Sequence, residues 1–409
     1  MSEKRKYYIT TPIYYPSAKL HIGHTYCTTI ADSLARFHRL RGDDVFFLTG
    51  SDEHGQKIQR AAEAKGVKPI EYVDEIVALF QQLWKKLNIS NDDFIRTTEK
   101  RHEKVVQALM QKSYDNGDIY KGEYKGWYCT PCETFWPENK LPEGKHVCPD
   151  CGRPLELVSE EAYFLKMNKY ADRWLKFIDE NPDFIQPESR RNEMISFVKS
   201  GLEDLCVSRT SFDWGIKVPW DPKHVVYVWF DAPIEYIGAT EEWADATDRT
   251  WRDWWRLDEG ADDVRYVQFM GKDNVAFHTV SFPATILGSG EPWKTVDQLK
   301  AFNWLNWYGG KFSTSMGRGV FMDQALELLP ADYWRWHLTA YGPEHSDAAF
   351  TWEQFQATTN KDLADVLGNF VNRIVKFAES KMDGVVPDGG APGELEAKLE
   401  ADVRAGIAE

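Results

Sequence analysis

The first fifty residues set out a strand, a helix and a second strand, and this order constrains the fold more than any other feature. Tyr7–Thr10 is a short β-prone run, followed by a turn at Pro12 and Pro16. A helical stretch is expected from about Ile22 to Arg41, with Ile30, Leu34 and Phe37 on one apolar face and Gly42 where a C′ glycine belongs. Val45–Leu48 then forms a second buried-strand candidate before a Gly-Ser-Asp turn. A helix between two strands carries the chain back to its starting edge, so the strands run parallel and the opening is a βαβ unit.

Residues from about 115 to 224 differ in character, with many turns and two CxxC pairs, and are expected to be an insertion. The βα pattern is expected to resume with Val225–Phe230 and again with Val264–Met270. Helical signals dominate from Asp323 onward. Leu363, Val366, Leu367, Phe370, Ile374 and Phe377 give Leu363–Lys381 an amphipathic stripe. Pro387 to Gly393 reads as a connector, and the closing ELEAKLEADVRAGIAE as one more helix.

A chain of 409 residues is long enough for two or three domains. Its net charge of −15 argues against a protein that coats nucleic acid non-specifically, since phosphate contacts need clustered Lys and Arg. Local basic surfaces are possible at RFHRLRG (36–42) and at Arg190-Arg191. The N-terminal residues carry no signal-like apolar run, and no stretch has the 18 or so apolar residues of a membrane span. Four of the six cysteines fall in the CxxC pairs, leaving Cys27 and Cys206. This usage fits a reducing compartment, and a cytoplasmic location without membrane contact is expected.

Three motifs carry chemistry. His21-Ile22-Gly23-His24 stands where a strand hands over to a helix. A helix N-terminus there offers free N–H groups to phosphate, two imidazoles can aim donors at the same phosphate, and Gly23 admits a flat base. Lys311-Phe312-Ser313-Thr314-Ser315, flanked by glycines, suits a mobile clamp for a polyphosphate. Cys129-Thr-Pro-Cys132 and Cys148-Pro-Asp-Cys151 have the spacing of a structural zinc site, ahead of an iron–sulfur centre or unmetallated thiols. Four cysteines leave no open coordination position, so the metal is read as a staple for the insertion.

The first two motifs resemble the HIGH and KMSKS signatures of class I aminoacyl-tRNA synthetases. The resemblance extends to the methionyl-tRNA synthetase family through TPIYYPSAKLHIGH (11–24), LTGSDEHG (48–55), VYVWFDAPIEY (226–236) and MGKDNVAFHT (270–279), and it runs from about residue 6 to about 382. It implies an α/β fold, a Rossmann-type parallel sheet split by a zinc-knuckle insertion and followed by an α-helical C-terminal region. The implied division is a first catalytic half at 1–114, the insertion with its knuckle at 115–224, and a second catalytic half at 225–308. The KMSKS-like loop and stem-contact region would span 309–350, and an anticodon-binding helical bundle would begin at 351–409. Members of the family continue further, so this bundle is expected to be incomplete here.

The resemblance also implies roles. His21 and His24 would hold the ATP phosphates, with Gly23 under the adenine and Asp273 at the ribose. Lys311 would reach the leaving pyrophosphate; Lys19, Gly271, Ser313, Thr314 and Ser315 complete the implied ATP site. Asp52 and the backbone at Ile13 would receive the methionine ammonium. Tyr15, Trp229, Ala232, Pro233, Tyr236 and His278 would wall the thioether pocket, with Asn274 where relatives place an aliphatic residue. Asn369 and Arg373 would read the CAU anticodon, and Cys129, Cys132, Cys148 and Cys151 would bind Zn²⁺. Thr314 stands where the signature usually has a second lysine, which places more of the phosphate stabilisation on Lys311. The implied activity is ATP-dependent activation of L-methionine, with Mg²⁺ on the phosphates, and transfer to tRNA(Met). Another class I synthetase, a non-catalytic zinc-stabilised RNA-binding paralogue and a small-molecule nucleotidyltransferase are the alternatives. The sequence carries nothing that sets an oligomeric state.

Overall fold

The computed structural model describes residues 5–17, 19–136, 138, 141, 145–247, 249–312, 317–386 and 388–408. The chain forms two compact units, Met1–Phe350 and Thr351–Glu409.

The first unit opens as the βαβ reading requires, with β1 (Lys6–Ile13), helix α1 (Ile22–Leu40) and β2 (Asp44–Ser51). His38 and Arg39 sit in the last turn of α1, where cations suit the helix dipole, and Gly42 follows with φ of +87°. Helix α2 (Gln56–Lys65), helix α3 (Pro69–Lys86), β3 (Asp93–Arg96) and helix α4 (Lys100–Asp115) come next. Proline is accommodated at the first position of α3 because its missing N–H would have had no partner there.

The insertion begins with β4 (Ile119–Cys129), β5 (Thr134–Trp136) and β6 (Glu156–Leu165). After them come β7 (Ile185–Gln186), β8 (Leu205–Cys206), β9 (Ser208–Arg209), β10 (Lys217–Val218) and β11 (Asp221–Val226). β12 (Val264–Gly271), β13 (Gln298–Phe302), β14 (Leu305–Trp307) and β15 (Ala348–Phe350) complete the strands among the described residues.

Six of these strands make a wholly parallel sheet in the order β3-β2-β1-β12-β13-β7. The chain steps to one side of β1 for β2 and to the other side for β12. A crevice therefore opens beyond the C-terminal ends of β1 and β12, the usual ligand position in such sheets. Behind the sheet lies an aromatic core in which Tyr8 stacks on Tyr266 at 4.5 Å and Phe46 on Trp243 at 4.2 Å. Part of the high Trp and Tyr content is absorbed in this core.

Two expectations are corrected. Val225–Phe230 is not a strand of the parallel sheet. β11 pairs antiparallel with β9 and β10 in a small separate sheet, and Val228–Asp231 is already helical, leading into a 3-10 turn at Ala232–Ile234. A continuous apolar run reports burial, not hydrogen-bond direction, and so does not separate these cases. The insertion also does not stay outside the main sheet, because β7, at residues 185–186, pairs in parallel with β13 as its edge strand. The rest of the insertion is mainly a long antiparallel hairpin of β4 and β6, with β5 and β8 alongside.

In the second unit, Trp352–Thr359 is α-helical, Asn360–Gly368 winds with wider π-type turns and Asn369–Lys381 returns to α-helix. Val366, Phe370, Ile374 and Phe377 of the amphipathic stripe are exposed. A last helix spans Glu394–Ala408.

Candidate active site

The crevice is a cleft of about 500 Å³ with Ile13, Tyr15, Lys19, His21, Gly23, His24, Gly271, Asp273, Asn274 and Lys311 among its lining residues. Ten of the sequence-derived site residues thus converge on one cavity, drawn from the ends of β1 and β12, the start of α1 and the segment after β14.

His21 is the N-cap of α1, and its backbone N–H donates to Nδ1 of His24 at 3.2 Å. Nδ1 of His24 is therefore an acceptor, and the proton of the neutral ring sits on Nε2. The two imidazoles stack at 3.8 Å. Burial drives the pKa of His24 down to about 4; burial, reinforced by His24, drives that of His21 down to about 2. Both are neutral hydrogen-bond donors at physiological pH, so the positive potential at this end comes from the helix N-terminus and from Lys311. A Cβ at Gly23 would sit 3.0 Å from the His21 ring, so this position has little room for a side chain. Phe312 stacks on the other face of His21 at 4.6 Å. Nζ of Lys311 lies 4.4 Å over the ring of Trp304, and Lys272, held by Asp347 at 2.7 Å, lies 4.4 Å from the same ring. Lys19 pairs with Asp323 at 2.6 Å. Ser313, Thr314 and Ser315 lie outside the described residues.

Close to Tyr15 and Lys57 of the cleft lies a buried acidic group. Asp52 follows β2, is 9% exposed, and its Oδ1 has no hydrogen-bond partner. Burial first, then the neighbouring Asp231, Glu133 and Glu53, hold its carboxyl well above the usual range. A buried carboxylate oxygen without a donor is costly, and a cationic ligand would satisfy it. Asp231 is fully buried beside His54, with Oδ2 2.9 Å from Nδ1. The Tyr15 hydroxyl donates to the backbone oxygen of His54 at 2.9 Å.

Of the residues expected to wall a thioether pocket, Tyr15 lines the cleft, while Trp229, Ala232, Pro233, Tyr236 and His278 are not among its lining residues. Nδ1 of His278 donates to the Asn274 carbonyl at 3.0 Å, which leaves Nε2 to accept from the Tyr236 hydroxyl at 3.0 Å. His278 sits in a π-type turn at Phe277–Ser281, an irregularity that recurs at functional positions. Trp229 stacks on Phe277 at 3.9 Å, while Ala232 and Pro233 are buried in the adjoining 3-10 turn. Asn369 and Arg373 are exposed on the second unit, and Nδ2 of Asn369 donates to the Asp365 carbonyl at 2.9 Å.

The four paired cysteines come together. Sγ of Cys129 lies 3.6 Å from that of Cys151, and Sγ of Cys148 lies 4.0 Å from that of Cys132. These separations are far beyond the roughly 2.05 Å of a disulfide. They match the edge of about 3.8 Å for a tetrahedron with Zn–S distances of about 2.3 Å. All four sulfurs lie within 4.8 Å of one another, so the set fits a zinc ion. A second cluster, Glu161, Asp221 and His224, encloses a lysine, with Lys121 at 2.6 Å from Glu161 and 3.1 Å from Asp221.

Several participants were not picked out from sequence. Phe312 and Lys57 line the cleft, with Nζ of Lys57 4.7 Å over the Tyr15 ring. Trp304 lines it as well, while Glu133 and Asp231 are buried near Asp52. His54 and Asp231 did lie inside the quoted segments LTGSDEHG and VYVWFDAPIEY. The basic candidates fare differently, since Arg36 pairs with Asp32 at 2.8 Å, Arg39 with Asp92 at 2.7 Å and Arg190 with Glu193 at 2.5 Å.

A parallel sheet with paired histidines at a helix N-terminus on one side of its crevice and a lysine segment on the other is the arrangement of a class I tRNA synthetase. The family model described as tRNA synthetases class I (M) matches residues 7–375, and the chain belongs to that family. The methionine–tRNA ligase of Caldanaerobacter subterraneus subsp. tengcongensis is 50% identical over 396 residues, covering 97% of this chain and 60% of that protein. That of Clostridium acetobutylicum is 52% identical over 387 residues, covering 94% and 58%. The chain thus spans about three fifths of the length of these curated relatives. Among solved structures, Mycobacterium tuberculosis methionyl-tRNA synthetase bound by methionyl-adenylate superposes with a TM-score of 0.88 at 38% identity, covering 97% of this chain and 76% of that one.

Proposed function

We propose that this chain activates L-methionine with ATP to give methionyl-adenylate and passes the methionyl group to the 3′ end of tRNA(Met). The observation that carries this reading is Asp52, a buried carboxylate with an unpartnered oxygen close to Tyr15 and Lys57 of the cleft that also holds His21, His24 and Lys311. The methionine ammonium would pair with Asp52 and the backbone at Ile13. Its thioether would lie among Tyr15, Trp229, Ala232, Pro233, Tyr236 and His278, with Asn274 orienting His278. ATP would place its phosphates at His21 and His24, its adenine over Gly23 and its ribose at Asp273.

A methionine carboxylate oxygen attacks the α-phosphorus in line, the bond to pyrophosphate breaks and the mixed anhydride forms. The 3′-terminal ribose hydroxyl then attacks the anhydride carbonyl and AMP departs. The protein supplies position and charge stabilisation, not a covalent intermediate. Lys19, Gly271 and Lys311, together with Ser313, Thr314 and Ser315, belong to the ATP site in this reading, and Mg²⁺ accompanies the phosphates. Asn369 and Arg373 serve anticodon recognition. Zn²⁺ at Cys129, Cys132, Cys148 and Cys151 is structural. No helix among the described residues is long and apolar enough to cross a membrane. Pyrophosphate exchange measured with each of the twenty amino acids tests the reading: strong exchange with methionine alone is expected, and a preference for another amino acid would replace it.

Two further outcomes follow. The neutral histidines predict that kcat/KM for ATP, which reports groups of the free enzyme, carries no His24-dependent break between pH 6 and 8. A break near pH 6.5 that disappears in His24→Asn would contradict this. The purified chain should also hold about one zinc per molecule, and Cys148→Ser should lose it and lower the melting temperature, because structural zinc contributes folding free energy. Metal analysis showing iron, or a fully stable metal-free protein, would reject the zinc staple.

A further inference from the structure

Glu133 follows the second knuckle cysteine directly, yet it is only 5% exposed and reaches into the catalytic unit. Its backbone takes a left-handed conformation, φ +50°, which a non-glycine residue adopts at a cost unless the surroundings require it. Here both halves of the residue are engaged. The carbonyl oxygen accepts from the Tyr227 hydroxyl and from Nε1 of Trp229, the latter at 2.9 Å. The carboxylate Oε1 accepts from the backbone N–H of Lys57 at 3.1 Å, the second residue of α2.

Helix α2 has Gly55 as its N-cap and so lacks a capping side chain of its own. Glu133 supplies the missing oxygen from about eighty residues away in sequence, and its charge suits the positive end of the helix. The fit depends on Gly55, where a Cβ would fall 2.2 Å from Oε1 of Glu133. Asp52 and His54 immediately precede this helix start, and Trp229 is one of the residues assigned above to the amino-acid pocket. One knuckle residue therefore holds two separate segments that carry proposed methionine-binding residues, and its placement follows from the Cys129–Cys132 turn, where its N–H donates to the Thr130 carbonyl at 3.3 Å.

We propose that Glu133 is a positioning residue that couples the four-cysteine knuckle to the amino-acid pocket, so that metal loading of the knuckle sets methionine affinity. This inference rests on the function proposed above. It is tested by calorimetric binding of methionine alone, with ATP kinetics and zinc content measured in parallel on the full chain. Glu133→Ala should weaken methionine binding about ten- to a hundredfold, the scale of losing hydrogen bonds to a charged group, while the KM for ATP stays within about twofold. Zinc content should remain at one. Glu133→Gln, whose amide oxygen can still accept from Lys57, should stay within about threefold of the parent protein. Glu133→Gly, which suits the positive φ, should show the same loss as alanine and serves if the alanine variant folds poorly.

Removing zinc by chelation should weaken methionine binding by a comparable factor in the parent protein and add little in Glu133→Ala, because coupled perturbations do not add. Unchanged methionine binding in Glu133→Ala and Glu133→Gly would overturn the coupling and leave the proposed function standing. So would equal losses for methionine and ATP, or zinc removal without effect on methionine. A parent protein that binds no methionine would overturn the proposed function, and this inference with it.

Discussion

Replacing Lys311 with alanine is expected to slow methionine-dependent pyrophosphate exchange by about a hundredfold or more, with methionine affinity nearly unchanged. The magnitude is that of removing one preorganised contact to charge that develops in the transition state. Lys311 lines the cleft on the phosphate side, and its ammonium rests over Trp304, a position from which it can swing without losing a salt bridge to any of the described residues. The paired histidines cannot substitute for it, because burial keeps both uncharged. Thr314 brings no second charge. A variant within a few-fold of the parent rate would remove Lys311 from this role.

Asp52→Asn is expected to have the other large effect, in two opposite directions. Methionine binding should weaken by at least about a hundredfold, because the bound ammonium would be left buried without its counter-charge, a loss of about 3–5 kcal/mol. The unliganded protein should become more stable at pH 7. The Asp52 carboxyl is raised above its unfolded-state value by burial and by Asp231, Glu133 and Glu53. Folding must therefore either retain a proton that the unfolded chain releases or bury the charge. That cost is absent below the unfolded carboxyl pKa of about 4 and grows as pH rises above it. The gain in melting temperature for Asp52→Asn should accordingly be present at pH 7 and shrink toward pH 4. A variant that binds methionine normally, or that is destabilised at pH 7, would show that Asp52 has a different partner. The trade of stability for a binding-ready site is common at functional positions.

The parts of the site legible in sequence are those carried by local pattern. The βαβ opening, the histidines at the start of α1 and the four cysteines depend on spacings of a few residues, and the structure places each where the spacing puts it. Glu133, Asp231, Lys57 and Trp304 were not legible, because their roles depend on which segments the topology brings together. Phe312 was legible as part of a motif but not as a ring stacked on His21, since stacking partners have no sequence period. Val225–Phe230 was misread because burial from several sides produces the same apolar run in a strand as in a helical turn. β7 escaped notice because two residues are too few to show alternation.

The short strand β7 has a consequence for engineering. Deleting residues 115–224, or replacing them with an unrelated segment, would strip the edge from the parallel sheet and leave β13 unpaired at Leu299 and Lys300, an open template for aggregation. A deletion that respects the sheet must stay within the hairpin, between β4 and β6, where the strand pairings among the described residues are antiparallel and internal to the insertion. The modular boundary of this chain therefore lies inside the apparent module, and deletions confined to the hairpin should remain soluble where those that reach its sequence limits should not.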